Sequence, residues 1–300
     1  MHTLEPPALD LEQLASFYDD RYEGEYMASH EGLEELRVRE TLQSIPLHPG
    51  ATILDYGCGR GAWVRLLHAV FPQARLVGIE ISPTAVERAR RDHPGDEFLV
   101  FDGGEAPLED ASCDLVFSYH VLEHVRDLRE SVADMARLVR PGGYVCAILP
   151  CANRGSIEEI ATRLVRDGVE ISATGERRFF HEDPGHLRRL TTEDLTERFR
   201  EQGCELAGAR YLRWWAALAY LASQPGILRR TFAPRRGRNL GAAVLLGAGR
   251  TGLMFVAAVL KVRLRPLARL FEATLPRREW RRSAAEPYGA AAQYLVFRKS

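Results

Sequence analysis

The residues best suited to hold a ligand form a glycine-rich segment, Asp55-Tyr-Gly57-Cys58-Gly59-Arg-Gly61, between an apolar run and a stretch with helical spacing. Glycine lets a chain turn sharply and lets a ligand approach the main chain closely. The first turn of the following helix adds N–H groups that have no partner within the helix. This arrangement predicts a site for a nucleotide-containing ligand, in which Asp55 holds an amino group or an ordered water.

Two further acidic residues stand where the next two apolar runs end. Glu80 follows the second run, beside Ile81, and a carboxylate there can accept hydrogen bonds from both hydroxyls of a ribose. Asp102-Gly103 follows the third run, where an acid and the adjacent main chain can read an adenine edge. A glycine-rich turn alone is weak evidence. Three acids at successive strand ends, on the edge where parallel sheets bind ligands, make a nucleotide site the preferred interpretation.

Histidine side chains have the chemistry of a general base. His120 follows the fourth apolar run, so we expect it at the same edge as the glycine-rich segment. It is predicted to act as a base or to position a second substrate. Glu123 and His124 are expected instead to organise the start of the next helix.

The segments that position these residues alternate between strands and helices. Short apolar runs predict strands over residues 52–56, 75–81, 97–101, 113–119 and 144–149. Helical spacing predicts helices over residues 60–71, 83–91 and 128–139, and then a helix over 192–202 precedes a strand over 205–212. Strands and helices that alternate through short connections form a parallel sheet covered on both faces, so the fold class is α/β and doubly wound.

The motifs resemble those of the class I (Rossmann-like) S-adenosylmethionine-dependent methyltransferases. The pattern DxGCGxG is matched in full by residues 55–61, and the acidic strand ends are matched by Glu80 and Asp102. Residues 119–125, which begin with Tyr119, and 137–143 are similar to segments of small-molecule methyltransferases in the ubiquinone-biosynthesis-like group. The resemblance covers roughly residues 15–212 and the last strand. It implies S-adenosylmethionine as the cofactor, bound in part by Tyr119.

The resemblance also implies the overall organisation. It predicts a mostly parallel seven-stranded sheet whose antiparallel last strand is formed by residues 294–298. An N-terminal helical cap would span residues 1–49, and the methyltransferase domain would span 50–212 plus 290–300. Residues 213–289 would be a helical insertion before the last strand. In the cap, Tyr18 or Tyr22 would stack near the sulfonium by cation–π attraction, and the alternative is that these rings only pack on the sheet.

Methyl transfer is an in-line displacement in which the protein mostly positions the acceptor. The family often carries a histidine in the lid before the last helix, which implies an acceptor-pocket role for His181 and His186; the alternative is a solvated loop. Related quinone O-methyltransferases carry a Glu-x-x-Glu-His metal motif, but this chain has His120 in place of the first acid. We therefore predict no metal.

A nicotinamide dinucleotide is the competing cofactor. Its fingerprint requires two residues between the second and third glycines, whereas one residue, Arg60, separates Gly59 from Gly61. The spacing therefore disfavours this cofactor.

The charge is distributed unevenly along the chain. The formal net charge is -1, but residues 208–300 carry about 18 basic and about 3 acidic residues, which suggests an anionic partner for this part. The five cysteines form no paired CxxC pattern, which disfavours a zinc ribbon and suits reduced thiols in the cytoplasm. No signal peptide is recognisable at the N-terminus. Residues 240–262 are apolar, but Arg250 near their centre argues against a membrane span.

Apolar stretches flanked by arginines in residues 213–289 suit the surface of an anionic membrane. The insertion is therefore predicted to present a lipid-like acceptor from the inner membrane face, and the alternative is a helical lid or a homodimer interface. Nucleic acid is disfavoured because no recognition motif is present. The predicted function is methyl transfer to a small-molecule or lipid-like acceptor at oxygen. The alternative is a non-catalytic cofactor-binding subunit whose insertion contacts a protein or a membrane.

Overall fold

The computed structural model describes residues 11–23, 32–156, 159, 170–171, 177–178, 185–213, 280 and 287–300. The helices are α1 (Leu11–Glu23), α2 (Leu33–Leu42), α3 (Val64–Val70), α4 (Pro83–Asp92), α5 (Leu128–Leu138) and α6 (Thr192–Glu201). The strands are β1 (Thr52–Tyr56), β2 (Arg75–Glu80), β3 (Glu97–Val100), β4 (Cys113–Tyr119), β5 (Val139–Pro150), β6 (Glu170–Ile171), β7 (Arg177–Arg178), β8 (Cys204–Leu212) and β9 (Ala292–Lys299).

Seven strands form one sheet in the order β3-β2-β1-β4-β5-β9-β8, and β6 and β7 form a separate pair. Strands β1 to β5 run parallel, and β9 is antiparallel to both of its neighbours, β5 and β8. This confirms the predicted doubly wound, mostly parallel seven-stranded sheet. The strand order reverses between β1 and β4, and such sheets bind ligands in the crevice at this switch point.

Alternating side chains of each buried strand face opposite layers of helices. On β1, Leu54 belongs to the apolar cluster that includes Met135 of α5. Its neighbour Ile53 belongs to the cluster on the other face, with Leu42 of α2 and Leu67 of α3. All five side chains are fully buried. Because both faces are covered, the strands read as nearly continuous apolar runs in the sequence.

Helix α1 lies against the start of α4. Oδ1 of Asp19 accepts hydrogen bonds from the Ser82 hydroxyl and from the Thr84 N–H, the second at 3.2 Å. Ser82 also caps α4, since its Oγ accepts from the Ala85 N–H at 3.1 Å, and Pro83 occupies the first turn, as the sequence predicts. These contacts place the tyrosines of α1 over the end of β2.

Two predicted bounds differ from the structure by more than two residues. Helix α3 begins at Val64 rather than at residue 60, because Gly61 has a φ of 77° and the chain is still turning there. Strand β5 begins at Val139 rather than at residue 144, because Val139 pairs with Cys113 before a register shift. The Pro-Gly-Gly segment at residues 141–143 is thus part of a bulged extension of the strand.

Strands β8 and β9 are neighbours in the sheet, so the chain between them is an insertion before the last strand, as predicted. Most of residues 213–289 lie outside the described residues, so the structure does not test the prediction that they are helical. Trp280 is described: it is buried, its Nε1 donates to Oε2 of Glu40 at 2.7 Å, and its ring meets that of Tyr294 edge-on at 4.7 Å. None of the described helices combines the length and apolar character needed to cross a bilayer.

Candidate cofactor and acceptor site

A cavity opens at the carboxyl ends of β1, β2 and β4. Its wall includes the glycine-rich loop after β1, the end of β2, residues 101 and 103, the segment after β4, and two tyrosines of α1. The predicted site residues on this wall are Tyr18, Tyr22, Gly57, Cys58, Gly59, Glu80, Ile81, Gly103, Tyr119 and His120. The fold therefore brings most of the predicted cofactor residues and one predicted catalytic residue to a single cavity.

The glycine-rich loop leaves no room for side chains at two positions. Gly57 and Gly59 have φ values of 76° and 53°, in the left-handed region that favours glycine. A Cβ on Gly57 would lie 2.4 Å from Val121, and a Cβ on Gly59 would lie 2.6 Å from the Tyr22 hydroxyl. The N–H groups of Gly57 and Cys58 both donate to the Ile79 carbonyl, at 2.9 and 3.0 Å. The loop thus exposes bare main chain to the cavity.

The carboxylate of Glu80 is fixed by the main chain around it. Oε2 accepts from the Gly59 N–H at 3.0 Å, and Oε1 accepts from the N–H groups of Ile81 and Ser82 at 3.0 and 3.2 Å. Burial raises the pKa of Glu80, and these hydrogen bonds oppose that rise. A carboxylate has about four acceptor positions, so one remains on Oε2 for a ribose hydroxyl.

Asp55 lies behind the loop rather than on the cavity wall. Its side chain is buried, and Oδ2 has no hydrogen-bond partner among the described residues. Burial, and then the charge of Glu80, raise the pKa of Asp55 to about 8. A buried acceptor without a partner costs about 1–3 kcal/mol. An ammonium group or an ordered water would relieve that cost, so the residue suits the amino acid end of S-adenosylmethionine.

The aromatic rings on the wall are held by buried contacts. Tyr18 and Tyr22 are 8% and 6% exposed, with ring centroids 6.5 Å apart. Tyr119 also lines the cavity, with its ring 4.6 Å from Trp63 and its hydroxyl 3.3 Å from Oε1 of Glu34, to which it donates. Aromatic faces at these places suit a sulfonium cation.

Besides Asp55, two predicted cofactor residues lie off the wall. Asp102 is exposed, and its Oδ1 accepts from the Gly104 N–H at 3.0 Å, so the side chain folds back on its own turn. Gly61 faces His93, whose ring a Cβ there would meet at 2.8 Å. Gly103 is the member of the predicted Asp102-Gly103 pair that reaches the cavity. The adenine contact of Asp102 stays a prediction.

His120 has an unusual backbone and a charged partner. Its φ of 55° is rare for a residue other than glycine, and its N–H donates to the Ile148 carbonyl at 2.8 Å. Nδ1 of its side chain, which is 28% exposed, lies 2.9 Å from Oε1 of the fully buried Glu123. Burial lowers the pKa of His120, but Glu123 and then Glu34 outweigh it and the net shift is upward, with Arg189 opposing.

The charges of three histidines act on the buried carboxylate of Glu123, and His120 is the nearest of them at 2.9 Å. Burial raises the pKa of this carboxylate, but the charges of His120, His124 and His186 outweigh that effect and lower the pKa of Glu123 to about 2. Its carboxylate is therefore ionised at neutral pH, beneath the cavity wall rather than on it. The sequence pattern assigned Glu123 only a role at the helix start. The third histidine, His186, comes from a distant segment, whose Leu187 N–H donates to the Glu123 carbonyl at 2.9 Å.

The lid histidines occupy different places. His186 lies off the cavity wall, with its ring centroid 4.6 Å from that of His124, which does line the cavity. Nδ1 of His124 donates to the Gly185 carbonyl at 2.8 Å. His181 lies outside the described residues. Ligand atoms of Glu123, His124 and His186 come within 4.8 Å of one another, but the carboxylate is already paired with His120. The predicted absence of a metal stays a prediction.

Two arginines on the wall were not predicted as site residues. Arg60 is the variable residue between the second and third glycines, and its Nε has no hydrogen-bond partner among the described residues. Arg126 precedes Asp127, the N-cap of α5. Both arginines are adjacent in sequence to segments that were predicted to lie at the carboxyl edge of the sheet. That adjacency could have indicated that they line the site.

Comparisons with known proteins agree with this geometry. Residues 54–147 match the family described as "Methyltransferase domain". A trans-aconitate 2-methyltransferase of Azoarcus sp. strain BH72 is 30% identical over 162 residues, which cover 54% of this chain and 56% of that protein. A malonyl-[acyl-carrier protein] O-methyltransferase of Serratia marcescens is 31% identical over 113 residues, covering 38% of this chain and 43% of that one. The chain thus spans about half the length of the curated relatives it matches.

Solved structures share the fold at low identity. The structure of Haemonchus contortus phosphoethanolamine N-methyltransferase 2 in complex with S-adenosyl-L-methionine has a TM-score of 0.52 and 16% identity, and the match covers 99% of this chain and 59% of that one. The glycine loop without room for side chains, the fixed Glu80 carboxylate and the unpartnered Asp55 oxygen fit the same cofactor. Residues 54–147 therefore form a methyltransferase domain on a Rossmann-like fold, and the residues of the site fit S-adenosylmethionine as its cofactor.

Proposed function

We propose that this protein transfers the methyl group of S-adenosylmethionine to an oxygen atom of a small-molecule or lipid-like acceptor. The observation that carries the proposal is a single cavity that holds both kinds of residue. Gly59 and Glu80, which suit the nucleoside, share that wall with His120, which suits the acceptor.

The residues of the cavity divide the work between binding and orientation. Glu80 holds the ribose, and the bare main chain of the glycine loop lets the cofactor lie against it. When bound, S-adenosylmethionine supplies a methyl group on a positively charged sulfur that is open to in-line attack. His120, held by Ile148 and Glu123, positions the acceptor oxygen or takes its proton. Tyr18 and Tyr22 cover the cofactor and exclude water.

The printed name of one relative supports an oxygen acceptor, and the printed name of a second gives its substrate. One acts on trans-aconitate and the other on a malonyl group at oxygen, as their names state. Neither relative is matched over two thirds of its length, so their acceptors are not transferred to this protein, and methylation at oxygen is proposed.

Turnover with labelled cofactor tests the proposal. The full chain is incubated with methyl-labelled S-adenosylmethionine and a panel of acids, alcohols, phenols and amines, and S-adenosylhomocysteine is measured. Formation of S-adenosylhomocysteine that depends on one acceptor and carries the label to its oxygen is the expected result. Label found on nitrogen or carbon would overturn the oxygen assignment.

The second candidate function is a non-catalytic cofactor-binding subunit that contacts a protein or a membrane. The methyltransferase relatives favour catalysis over this candidate. Cofactor binding without S-adenosylhomocysteine formation, on the panel or on a metabolite extract, would favour the subunit.

We also propose that the protein is cytoplasmic and binds peripherally to the inner membrane face through residues 213–289. The support is the arginine-rich, apolar composition of these residues. Flotation with anionic and neutral liposomes tests it, and failure to float with anionic liposomes at low salt would refute it. A dimeric mass by light scattering would favour the alternative that the insertion is a homodimer interface.

A further inference from the structure

The cavity has more cationic side chains than the cofactor can pair with. S-adenosylmethionine carries one carboxylate, whereas two guanidinium groups, those of Arg60 and Arg126, lie on the wall. Arg60 belongs to the glycine-rich loop that holds the cofactor, and its Nε lacks a partner among the described residues. We therefore assign the cofactor's carboxylate to Arg60. The cofactor then has no second carboxylate to pair with Arg126.

Among the residues that the structure describes, no acidic side chain pairs with Arg126 to balance its charge. Within the described residues, its guanidinium forms no hydrogen bond or ion pair. The adjacent Asp127 is occupied as the cap of α5, where Oδ1 accepts from the N–H groups of Arg129 and Glu130 at 2.9 and 3.0 Å. Glu123 is buried beneath the wall and paired with His120. Arg126 thus presents a net positive charge to the cavity.

His120 adds a second cationic donor. Its Nδ1 is 2.9 Å from an ionised, fully buried carboxylate, and its pKa is raised, so the imidazolium form is favoured. Of the other charged groups that act on it, Glu34 favours this form and Arg189 opposes it. An imidazolium donates hydrogen bonds well and is a poor base. An alcohol or phenol acceptor needs a base, whereas an acceptor that is already an anion needs a donor.

We propose that the acceptor is a carboxylic acid, bound as its carboxylate between Arg126 and His120. This inference rests on the proposed methyl transfer to oxygen and names the class of acceptor. A lone pair of a carboxylate oxygen forms the new O–C bond, and the C–S bond breaks with its electrons remaining on sulfur. The products are a methyl ester and S-adenosylhomocysteine, and no proton is released, so the step needs no base.

The chemical lability of the product tests the proposal even while the acceptor is unidentified. The full chain is incubated with methyl-labelled cofactor and two mixtures, a bacterial metabolite extract and a defined panel of mono-, di- and tricarboxylic acids with their matched alcohols and amides. Mild alkali then hydrolyses methyl esters to volatile labelled methanol, while ethers and methylamines keep the label. Label released as methanol is the expected result.

The other outcomes separate this inference from the proposed function. Alkali-stable label would overturn the carboxylate acceptor and leave the methyltransferase activity standing. Bound cofactor with no label transferred to either mixture would contradict the proposed function itself and, with it, this inference.

Substitution of Arg126 tests its role in binding the carboxylate of the acceptor. In Arg126→Gln we expect KM for the acid to rise about ten- to hundredfold, as for loss of one charge-assisted hydrogen bond, with KM for the cofactor unchanged. Arg129→Gln removes a nearby surface charge that is off the wall and serves as the matched control. Arg126→Lys should restore part of the affinity. An acceptor KM in Arg126→Gln equal to that of the control would overturn the role of Arg126.

Discussion

Replacement of Glu80 by glutamine isolates the contribution of one carboxylate to cofactor binding. The side chain keeps its size, but one of its two oxygens becomes an NH₂ group. The amide oxygen is expected to keep accepting hydrogen bonds from the N–H groups of Ile81 and Ser82. The NH₂ group then takes the place of Oε2, which in the wild type lies 3.0 Å from the Gly59 N–H. The acceptor position that we assign to the ribose is thereby lost.

The expected loss of affinity follows from these contacts. One hydrogen bond to a charged group contributes about 1.5–3 kcal/mol, so the Kd for S-adenosylmethionine should rise about ten- to hundredfold. The donor that now faces Gly59 adds to this effect by disturbing the glycine loop. Because burial raises the pKa of Glu80, removing its charge relieves an unfavourable burial. This relief offsets the cost of the two donors that meet at Gly59, so the cofactor-free protein should unfold at nearly the same temperature as the wild type.

Isothermal titration calorimetry and thermal unfolding of Glu80→Gln test this role of the carboxylate. Glu97→Gln is the matched control, because Glu97 is an exposed residue of β3 that pairs with Arg75 at 2.7 Å and lies off the cavity wall. A Kd in Glu80→Gln equal to that of the control would refute the assignment of Glu80 to the ribose. A weaker Kd accompanied by a large fall in unfolding temperature would show a structural role instead.

Three other substitutions give distinct outcomes. Gly57→Ala places a Cβ 2.4 Å from Val121 at a φ of 76°, so calorimetry should detect no cofactor binding, and wild-type affinity would contradict the close approach at the loop. Burial, and then the charge of Glu80, raise the pKa of Asp55 to about 8, so the free energy of unfolding falls as pH rises from about 4 to that value. Asp55→Asn should therefore stabilise the cofactor-free protein more at about pH 8 than at about pH 5. An equal gain in stability at both pH values would contradict the raised pKa. Trp280→Ala removes a buried indole and its hydrogen bond to Glu40. Urea denaturation should therefore show a free energy of unfolding lower by about 3–5 kcal/mol. A decrease under about 1 kcal/mol would mean that this contact contributes little to stability.

The parallel core was predictable from the sequence because its signals are local. The bounds of β1 and β4 are confirmed as Thr52–Tyr56 and Cys113–Tyr119, since buried parallel strands read as short apolar runs. The helix start at Pro83 is confirmed because Ser82 and proline form a local cap. The bounds of α3 and β5 were wrong where a glycine turn and a bulge decide them, and both features depend on contacts with distant strands.

The candidate site was predictable in part for the same reason. Strand ends follow from the runs that precede them, so Glu80 and His120 were placed at the right edge of the sheet. The side chain of Asp102 depends on a turn that binds its own carboxylate, and the pairing of Glu123 with His120 depends on burial. Arg126 gains its meaning only from the absence of an acidic partner in the described residues, which no local pattern reveals.

Calorimetric titration of the full chain with S-adenosylmethionine, S-adenosylhomocysteine and a nicotinamide dinucleotide distinguishes an S-adenosylmethionine site from any other nucleotide site at this sheet edge. We expect one site per chain for each of the two adenosyl ligands, lost in Gly57→Ala, and no binding of the dinucleotide. Binding of the dinucleotide, or no binding of either adenosyl ligand, would contradict the assignment of the cofactor.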